Sequence, residues 1–403
     1  MATDTPARTP KPTFTPQPGE PATPADAGTP TDEGVSAAEA TLAPTMTVAA
    51  AGPASTDEPT AVPATATPSP VKSLRMDSPE YGMQIFPWWR PEVGSRDFQV
   101  VAEADFSWAK VNFGWREIEG AGKGVFDWSR TDEIVRMAAE NDIDLVIRVD
   151  HQPAWAGGGF PVNGPPDDYQ DLADFFTAMA TRYRGRVRAY QVWNEPNLAR
   201  EWGGRLPDPG QYAKLLRVCY QAIKAADPNA MVISAGLSPT GTWNEQARPD
   251  DWYLESMHIA MNEALGSSDG YFDVLGAHAP GFKSPPERDP AQVAADPDLG
   301  GQRAFAFRRV EDLRAIMVKY GDANKQVAIL EFGWTSDPRP DSPYNWHAVS
   351  EQVKADYLVR AYQYARDNWS PWIGLMSLIY ICDHDWTPED EQYWWSISDP
   401  GWP

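Results

Sequence analysis

From Tyr81 onward, short apolar runs alternate with longer stretches in which apolar residues recur every three or four positions. Eight runs stand out: Tyr81–Phe86 (YGMQIF), Trp108–Phe113 (WAKVNF), Leu145–Val149 (LVIRV), Arg188–Trp193 (RAYQVW), Met231–Ala235 (MVISA), Phe272–Ala277 (FDVLGA), Gln326–Leu330 (QVAIL) and Gly374–Ile381 (GLMSLIYI). Most are β-branched or aromatic and continuous, the pattern of strands covered on both faces. Helical spacing fills the gaps. Thr131–Glu140 puts Ile134, Val135 and Met137/Ala138 on one stripe, and Asp171–Tyr183 repeats apolar positions at three and four. Gln211–Ala226 carries Leu215, Leu216, Cys219 and Ile223 and stops before the turn signal Asp227-Pro228-Asn229. Gln302–Tyr320 and Ser350–Asn368 follow the same logic.

Eight strand–helix repeats over about 305 residues predict an α/β chain folded as a (β/α)8 TIM barrel, spanning residues 74–403. An open doubly wound sheet would more often carry a Gly-rich phosphate loop after an early strand, and none is present. The loops Pro239–Asp251 and Pro280–Gly301 exceed ordinary connection lengths and follow strands, where a barrel places its active site.

Composition divides the chain. Residues 1–73 hold 14 of the 39 prolines, 15 threonines and Phe14 as their one aromatic, whereas all 18 tryptophans come later. Such a Pro/Thr/Ala-rich segment buries too little apolar surface to offset ordering entropy, so it reads as a disordered tail or linker. Stalks on cell surfaces have this composition, which points to a secreted or cell-surface protein. The N-terminus MATDTPARTPKP lacks a basic region followed by an apolar core, so no secretory signal is visible and the true start is expected upstream or the tail has another purpose.

The formal charge is −23. The tail carries Arg8, Lys11 and Lys72 against eight acids, a net of −5, which leaves −18 on the barrel. That surface repels phosphate backbones and argues against a nucleic-acid partner. Two cysteines, Cys219 and Cys382, make no disulfide framework, and no run of about 18 apolar residues predicts a transmembrane helix. The oligomeric state has no signature in the sequence.

Two carboxylates end strands. Glu195 closes the fourth run in VWNEPN, and Glu331 closes the seventh in AILEFGW. Polar residues just past a barrel strand's C-terminal end face the pocket, and the fourth and seventh strands of a closed barrel bring long side chains within reach of each other. Either glutamate alone reads as a loop or salt-bridge residue. The pair suits glycosidic cleavage, in which one carboxylic acid protonates the departing oxygen and the other attacks the anomeric carbon or activates water. Tryptophans follow seven of the eight strands: Trp88 and Trp89, then Trp115, Trp155, Trp202, Trp243, Trp334 and Trp386. Sugar pockets are aromatic platforms with polar rims, and Trp155, Trp334 and Trp386 are the expected sugar contacts. His151 and His278 follow the third and sixth strands as rim residues, and Tyr380 is the penultimate residue of the eighth run.

WNEPN and LEFGW resemble the two signatures of clan A retaining glycoside hydrolases, and the resemblance extends over residues 81–390. WREIEGAGKGVFDWSRTDEIVRMAAENDIDLVIRVDHQPAWA (115–156) is similar to the second and third strand–helix units of families 5 and 39, with family 39 the nearer in appearance. The resemblance implies Glu195 as acid/base, Glu331 as nucleophile and Asn194 as the residue that binds the sugar 2-hydroxyl. It also implies an apolar surround that raises the Glu195 pKa, and donors that keep Glu331 ionised. His151, Trp155, His278, Trp334, Tyr380 and Trp386 complete the expected substrate-binding set.

Two positions depart from the clan pattern. The run AHAPGF has His278 where many members carry a tyrosine that bonds the nucleophile, and Lys110 and Asn112 occupy the second strand where an arginine is common. Asp383-His384-Asp385 raises the question of a metal, but five histidines without a His-x-His or His-Glu-x-x-His pattern predict no catalytic zinc. No cofactor is expected. The expected activity is retaining β-glycoside hydrolysis of a poly- or oligosaccharide. The alternatives are a carbohydrate-binding barrel that has lost catalysis and, less in keeping with the histidine count, a metal-dependent hydrolase.

Overall fold

The computed structural model describes residues 73–88, 91–158 and 163–400. Residues 1–72 of the Pro/Thr-rich segment lie outside the described residues, as does Trp89. Eight parallel strands close into a barrel in sequence order. They are β1 (Glu80–Gln84), β2 (Trp108–Gly114), β3 (Asp144–Asp150), β4 (Ala189–Val192), β5 (Met231–Ser234), β6 (Val274–His278), β7 (Gln326–Phe332) and β8 (Ile373–Leu378). The helices are α1 (Pro91–Glu103), α2 (Trp115–Glu119), α3 (Ser129–Glu140), α4 (Tyr169–Arg182), α5 (Pro209–Ala226), α6 (Asp250–Leu265), α7 (Pro290–Ala294), α8 (Arg309–Lys319), α9 (Glu351–Asn368) and α10 (Glu391–Trp395).

All eight apolar runs are strands, and the (β/α)8 barrel expected from them is the fold. The fourth is shorter than its run. Arg188 turns its guanidinium to Asp144 at 2.7 Å and Glu80 at 3.3 Å on the lower rim, and Trp193 leaves extended geometry with φ +69°. The helix expected from Gln302 begins only at Arg309. Ala304, Phe305 and Ala306 instead bury in a satellite cluster with Phe282 and Val293. Asp168, Asp208 and Ser350 each accept a hydrogen bond from a backbone N–H in the first turn of α4, α5 and α9, which fixes where those helices start.

Apolar side chains fill two compartments. One lies between strands and helices and includes Phe175, Phe176, Leu215, Leu216 and Met257. Each fully buried side chain of this size contributes roughly 1.5–3 kcal/mol. The other fills the barrel interior with Trp108, Val146, Ala189, Met231, Ile233, Val274, Ala328, Leu330 and Leu375, closed below by Met76. Gln326 fixes Met76 by accepting from its N–H at 2.9 Å and donating to its carbonyl at 3.0 Å.

Strand side chains alternate, so residues two apart face the same side. Two residues beyond the apolar plug, the inward positions become polar: Lys110 after Trp108, Arg148 after Val146, Gln191 after Ala189 and Ser377 after Leu375. All four are buried. One set of strands thus carries an apolar floor and, above it, a charged lining at the C-terminal mouth.

Candidate active site

Glu331 reaches the lining through a break in β7. Ala328 and Leu330 face inward, so a regular strand would turn Glu331 outward. The pairing of β6 with β7 slips there. Ala277 pairs with Ile329 but His278 with Glu331, so one step on β6 matches two on β7. Bulges of this kind re-aim side chains beside active sites.

Once inward, Glu331 meets cations. Lys110 Nζ donates to its Oε1 at 2.6 Å, and an Arg148 guanidinium nitrogen lies 3.7 Å from the same oxygen. Burial pushes the carboxyl up. The charges of His278, Lys110 and Arg148 push it down further, to about 2. Burial acts in the opposite direction on Lys110, lowering its ammonium to about 8 against the pull of Glu331. These cations favour the ionised form of Glu331.

Glu195 follows β4 with φ +38°, and its neighbour Trp193 has φ +69°. Positive φ at bulky residues costs about 1–3 kcal/mol each and persists where the surroundings impose it. Here it aims the carboxyl into the mouth, with the Glu195 N–H donating to the Gly236 carbonyl at 3.1 Å. Gly236 is required at that place, since a Cβ would lie 2.2 Å from the His278 ring. The apolar surround expected for Glu195 is not what the structure shows. His278 Nδ1 lies 3.1 Å from Oε1, and an Arg200 guanidinium N–H donates to Oε2 at 3.1 Å. Burial raises the Glu195 carboxyl, but the His278 hydrogen bond and charge and the Arg200 charge outweigh it. The net shift is below the ordinary glutamate value.

His278 bridges the two carboxylates, its Nδ1 standing 3.1 Å from Glu195 Oε1 and 3.8 Å from Glu331 Oε2. Those two oxygens are therefore within about 7 Å of each other, close enough for both carboxyls to reach one glycosidic bond. His278 stands where a tyrosine was expected from the sequence, and Lys110 of β2 and Arg148 of β3 place cations beside Glu331.

Buried polar atoms near the pair have no partner among the described residues: Asn194 Oδ1, Gln84 Oε1, Asn112 Oδ1, His278 Nε2 and Ser377 Oγ. Unpaired buried polar groups are costly, and a hydroxyl-rich ligand would satisfy them. His151, with φ +60°, holds Nδ1 2.9 Å from Asp150 Oδ1, and Asp150 also accepts from Arg148 Nε at 2.7 Å. Burial alone would lower the His151 pKa, but the Asp150 charge reverses the sign and raises it.

The aromatic expectations divide. Trp155 is half-buried, packs edge-on against Trp115 at 5.6 Å, and donates its indole N–H to the Glu119 carbonyl at 2.7 Å. Tyr380 and Trp386 are both 3% exposed, 5.5 Å apart and packed on Phe86 beyond β8. Burial and then the Glu331 charge raise the Tyr380 phenol well above its ordinary value. Trp334 requires a correction. It is fully buried, donates to the Ser284 carbonyl at 3.0 Å and contacts Phe307 and Tyr357. Its ring packs against Gly281, where a Cβ would come within 1.9 Å. Trp334 is core, because the chain turns back over it after β7.

Arg148, Arg200 and Asp150 are functional candidates that were not singled out from the sequence. Arg148 had a signal, a charge in the apolar run LVIRV. Arg200 had none. Among the described residues no group of three or more His, Cys, Asp or Glu side chains is placed to hold a metal ion. No helix among them is long and apolar enough to cross a membrane.

The sequence profile of Cellulase (glycosyl hydrolase family 5) matches residues 67–262, a span that contains Glu195. A β-xylosidase of Geobacillus stearothermophilus is 26% identical over 183 residues, covering 42% of this chain and 33% of that protein. The chain thus spans about a third of the length of that curated relative. A family 39 glycoside hydrolase from Bacteroides cellulosilyticus superposes with a TM-score of 0.56 at 18% identity, over 80% of this chain and 60% of that one. A glucosidase from Croceicoccus marinus gives 0.54 at 13% identity, over 82% and 65%. The two solved structures bear on the fold. The sequence matches add that the chain is similar to clan A glycoside hydrolases.

Proposed function

We propose that the protein is a retaining β-glycoside hydrolase that cleaves O-glycosidic bonds of a poly- or oligosaccharide by double displacement. The observation that carries this reading is the single imidazole nitrogen of His278 within 3.1 Å of one carboxylate and 3.8 Å of the other. In the first step, Glu331 attacks the anomeric carbon while Glu195 gives its proton to the glycosidic oxygen, and the leaving alcohol departs. In the second, Glu195 takes a proton from water, the resulting hydroxide attacks the anomeric carbon, and the bond to Glu331 breaks. Lys110 and Arg148 keep Glu331 anionic for the attack. Arg200 and His278 favour the ionised Glu195 that the second step needs. Asn194 Oδ1, unpartnered and buried beside the acid/base, accepts from a sugar hydroxyl.

Glu331→Ala is expected to abolish turnover on xylan, carboxymethyl cellulose and aryl β-glycosides while leaving the far-UV circular dichroism unchanged. Added azide should restore part of the rate as a glycosyl azide. Glu195→Ala should cost least on aryl substrates with good leaving groups, which need little protonation. Wild-type rates in Glu331→Ala would refute the assignment. The Arg200–Glu195 ion pair favours one second reading, a carbohydrate-binding barrel without catalysis. A folded wild type that binds polysaccharide and cleaves none would establish it. The Pro/Thr-rich segment 1–73 supports a place outside the cell or at its surface, a reading that recovery of the protein solely from the cell interior would remove.

A further inference from the structure

Most indoles among the described residues are at least partly covered, but Trp243 is 58% exposed and Trp252 36% exposed. Their ring centroids are 4.6 Å apart at an interplanar angle of 74°. The Arg248 guanidinium sits 4.9 Å over the Trp243 ring and is held there by the carbonyls of Asn244 and Ala247. Paired aromatics left in water and fixed by a cation form a built surface rather than a scattered exposure.

Position gives this surface a meaning. Trp243 belongs to the long loop after β5, and Trp252 to the first turn of α6. Loops and helix starts that follow barrel strands lie on the rim onto which Glu195 and Glu331 open. The loop is also tied to the acid/base segment. Leu198 and Ala247 form an antiparallel bridge, and the Ala199 N–H donates to the Gln246 carbonyl at 2.8 Å. The Arg248 N–H donates to the Asn197 carbonyl at 2.9 Å, and Asn197 Nδ2 donates to the carbonyls of Ser238 and Arg248 at 2.9 and 3.0 Å. Asn197 is two residues from Glu195.

We propose that Trp243, Trp252 and Arg248 form a second sugar-binding platform, for a ring of a polysaccharide chain beyond the bond being cleaved, on the side from which the leaving group departs. A pyranose presents an apolar C–H face that covers an indole, and hydroxyl edges that accept from a guanidinium. The acid/base carboxylate faces the leaving group, and the platform is anchored to the segment that carries it. The inference rests on the glycosidase reading and extends it: the substrate is a chain long enough to touch both places.

The test compares wild type, Trp243→Ala and Trp252→Ala on xylan and carboxymethyl cellulose against p-nitrophenyl β-xyloside and β-glucoside. The ratio of polymer to aryl-glycoside kcat/KM is expected to fall about tenfold in either variant, the size of one lost aromatic contact. An unchanged ratio overturns the platform. A second readout is retention on gels containing the same polymers, with Glu331→Ala as the parent and Trp243→Ala added to it. Loss of retention supports the platform, and equal retention, or no retention of the parent on either polymer, overturns it. If wild type cleaves nothing, the glycosidase reading fails while the gel experiment still decides the platform.

Discussion

Glu331 and Lys110 are both buried, and each determines the state of the other. Lys110→Met removes the nearest cation and leaves Arg148 at 3.7 Å and His278 at 3.8 Å. The Glu331 carboxyl then rises from about 2 towards its ordinary value. Activity that needs ionised Glu331 is lost as pH falls through its folded value, so the acidic limb of the pH–rate profile should move to higher pH. We expect kcat to drop ~100-fold, on the scale of one lost electrostatic partner. Stability in urea should fall by about 3–5 kcal/mol, the usual cost of orphaning a buried charge. Lys110→Arg should restore most of both. Arg200→Leu acts on the other limb. Removing its charge raises Glu195, and activity that needs protonated Glu195 is lost as pH rises through that value, so the basic limb should also move to higher pH. A limb that stays in place would remove Arg200 from control of the acid/base. The two glutamates were legible in the sequence because each closes an apolar run. Lys110 and Arg148 were visible as charges two residues beyond inward-facing Trp108 and Val146, but their use became plain only when alternation placed them over the plug. Trp334 was misread because a tryptophan after a strand looks the same in sequence whether it faces a sugar or Gly281.

At the level of elements, the eight strands were legible because continuous apolar runs of that length have one use in a repeating α/β chain. The bulge between β6 and β7 was not, since QVAILEF carries no sign of a slipped register. The tie between the loops after β4 and β5 was also hidden, because beside its backbone bonds it runs through one side chain. Asn197 accepts from the Ser238 N–H at 2.9 Å and donates to two carbonyls. Asn197→Ala leaves these buried backbone groups unpaired. It should cost about 2–3 kcal/mol in urea unfolding and open residues 239–249 to limited proteolysis. An unchanged cleavage pattern would mean that backbone bonds alone fix the loop.

For the molecule as a whole, the boundary expected near residue 73 can be located by function. Arg75 donates to the carbonyls of Asn324 and Pro371 at 3.0 and 2.9 Å, and Met76 closes the barrel floor. A chain starting at Ser73 is expected to keep its Tm within about 2 °C. A chain starting at Asp77 should lose several degrees, because the floor is open; differential scanning calorimetry on both distinguishes them. The net −18 of residues 74–403 also predicts weak salt dependence for a neutral glycan and exclusion from polyanions.

The apolar floor and the charged lining occupy successive inward positions of the same strands. Met76, Trp108, Val146 and Leu375 pack the barrel interior, and Lys110, Arg148 and Ser377 line its mouth. A lineage can therefore rewrite the upper row, and with it the reaction, while inheriting the lower row unchanged. New chemistry on this barrel need not begin with a new fold.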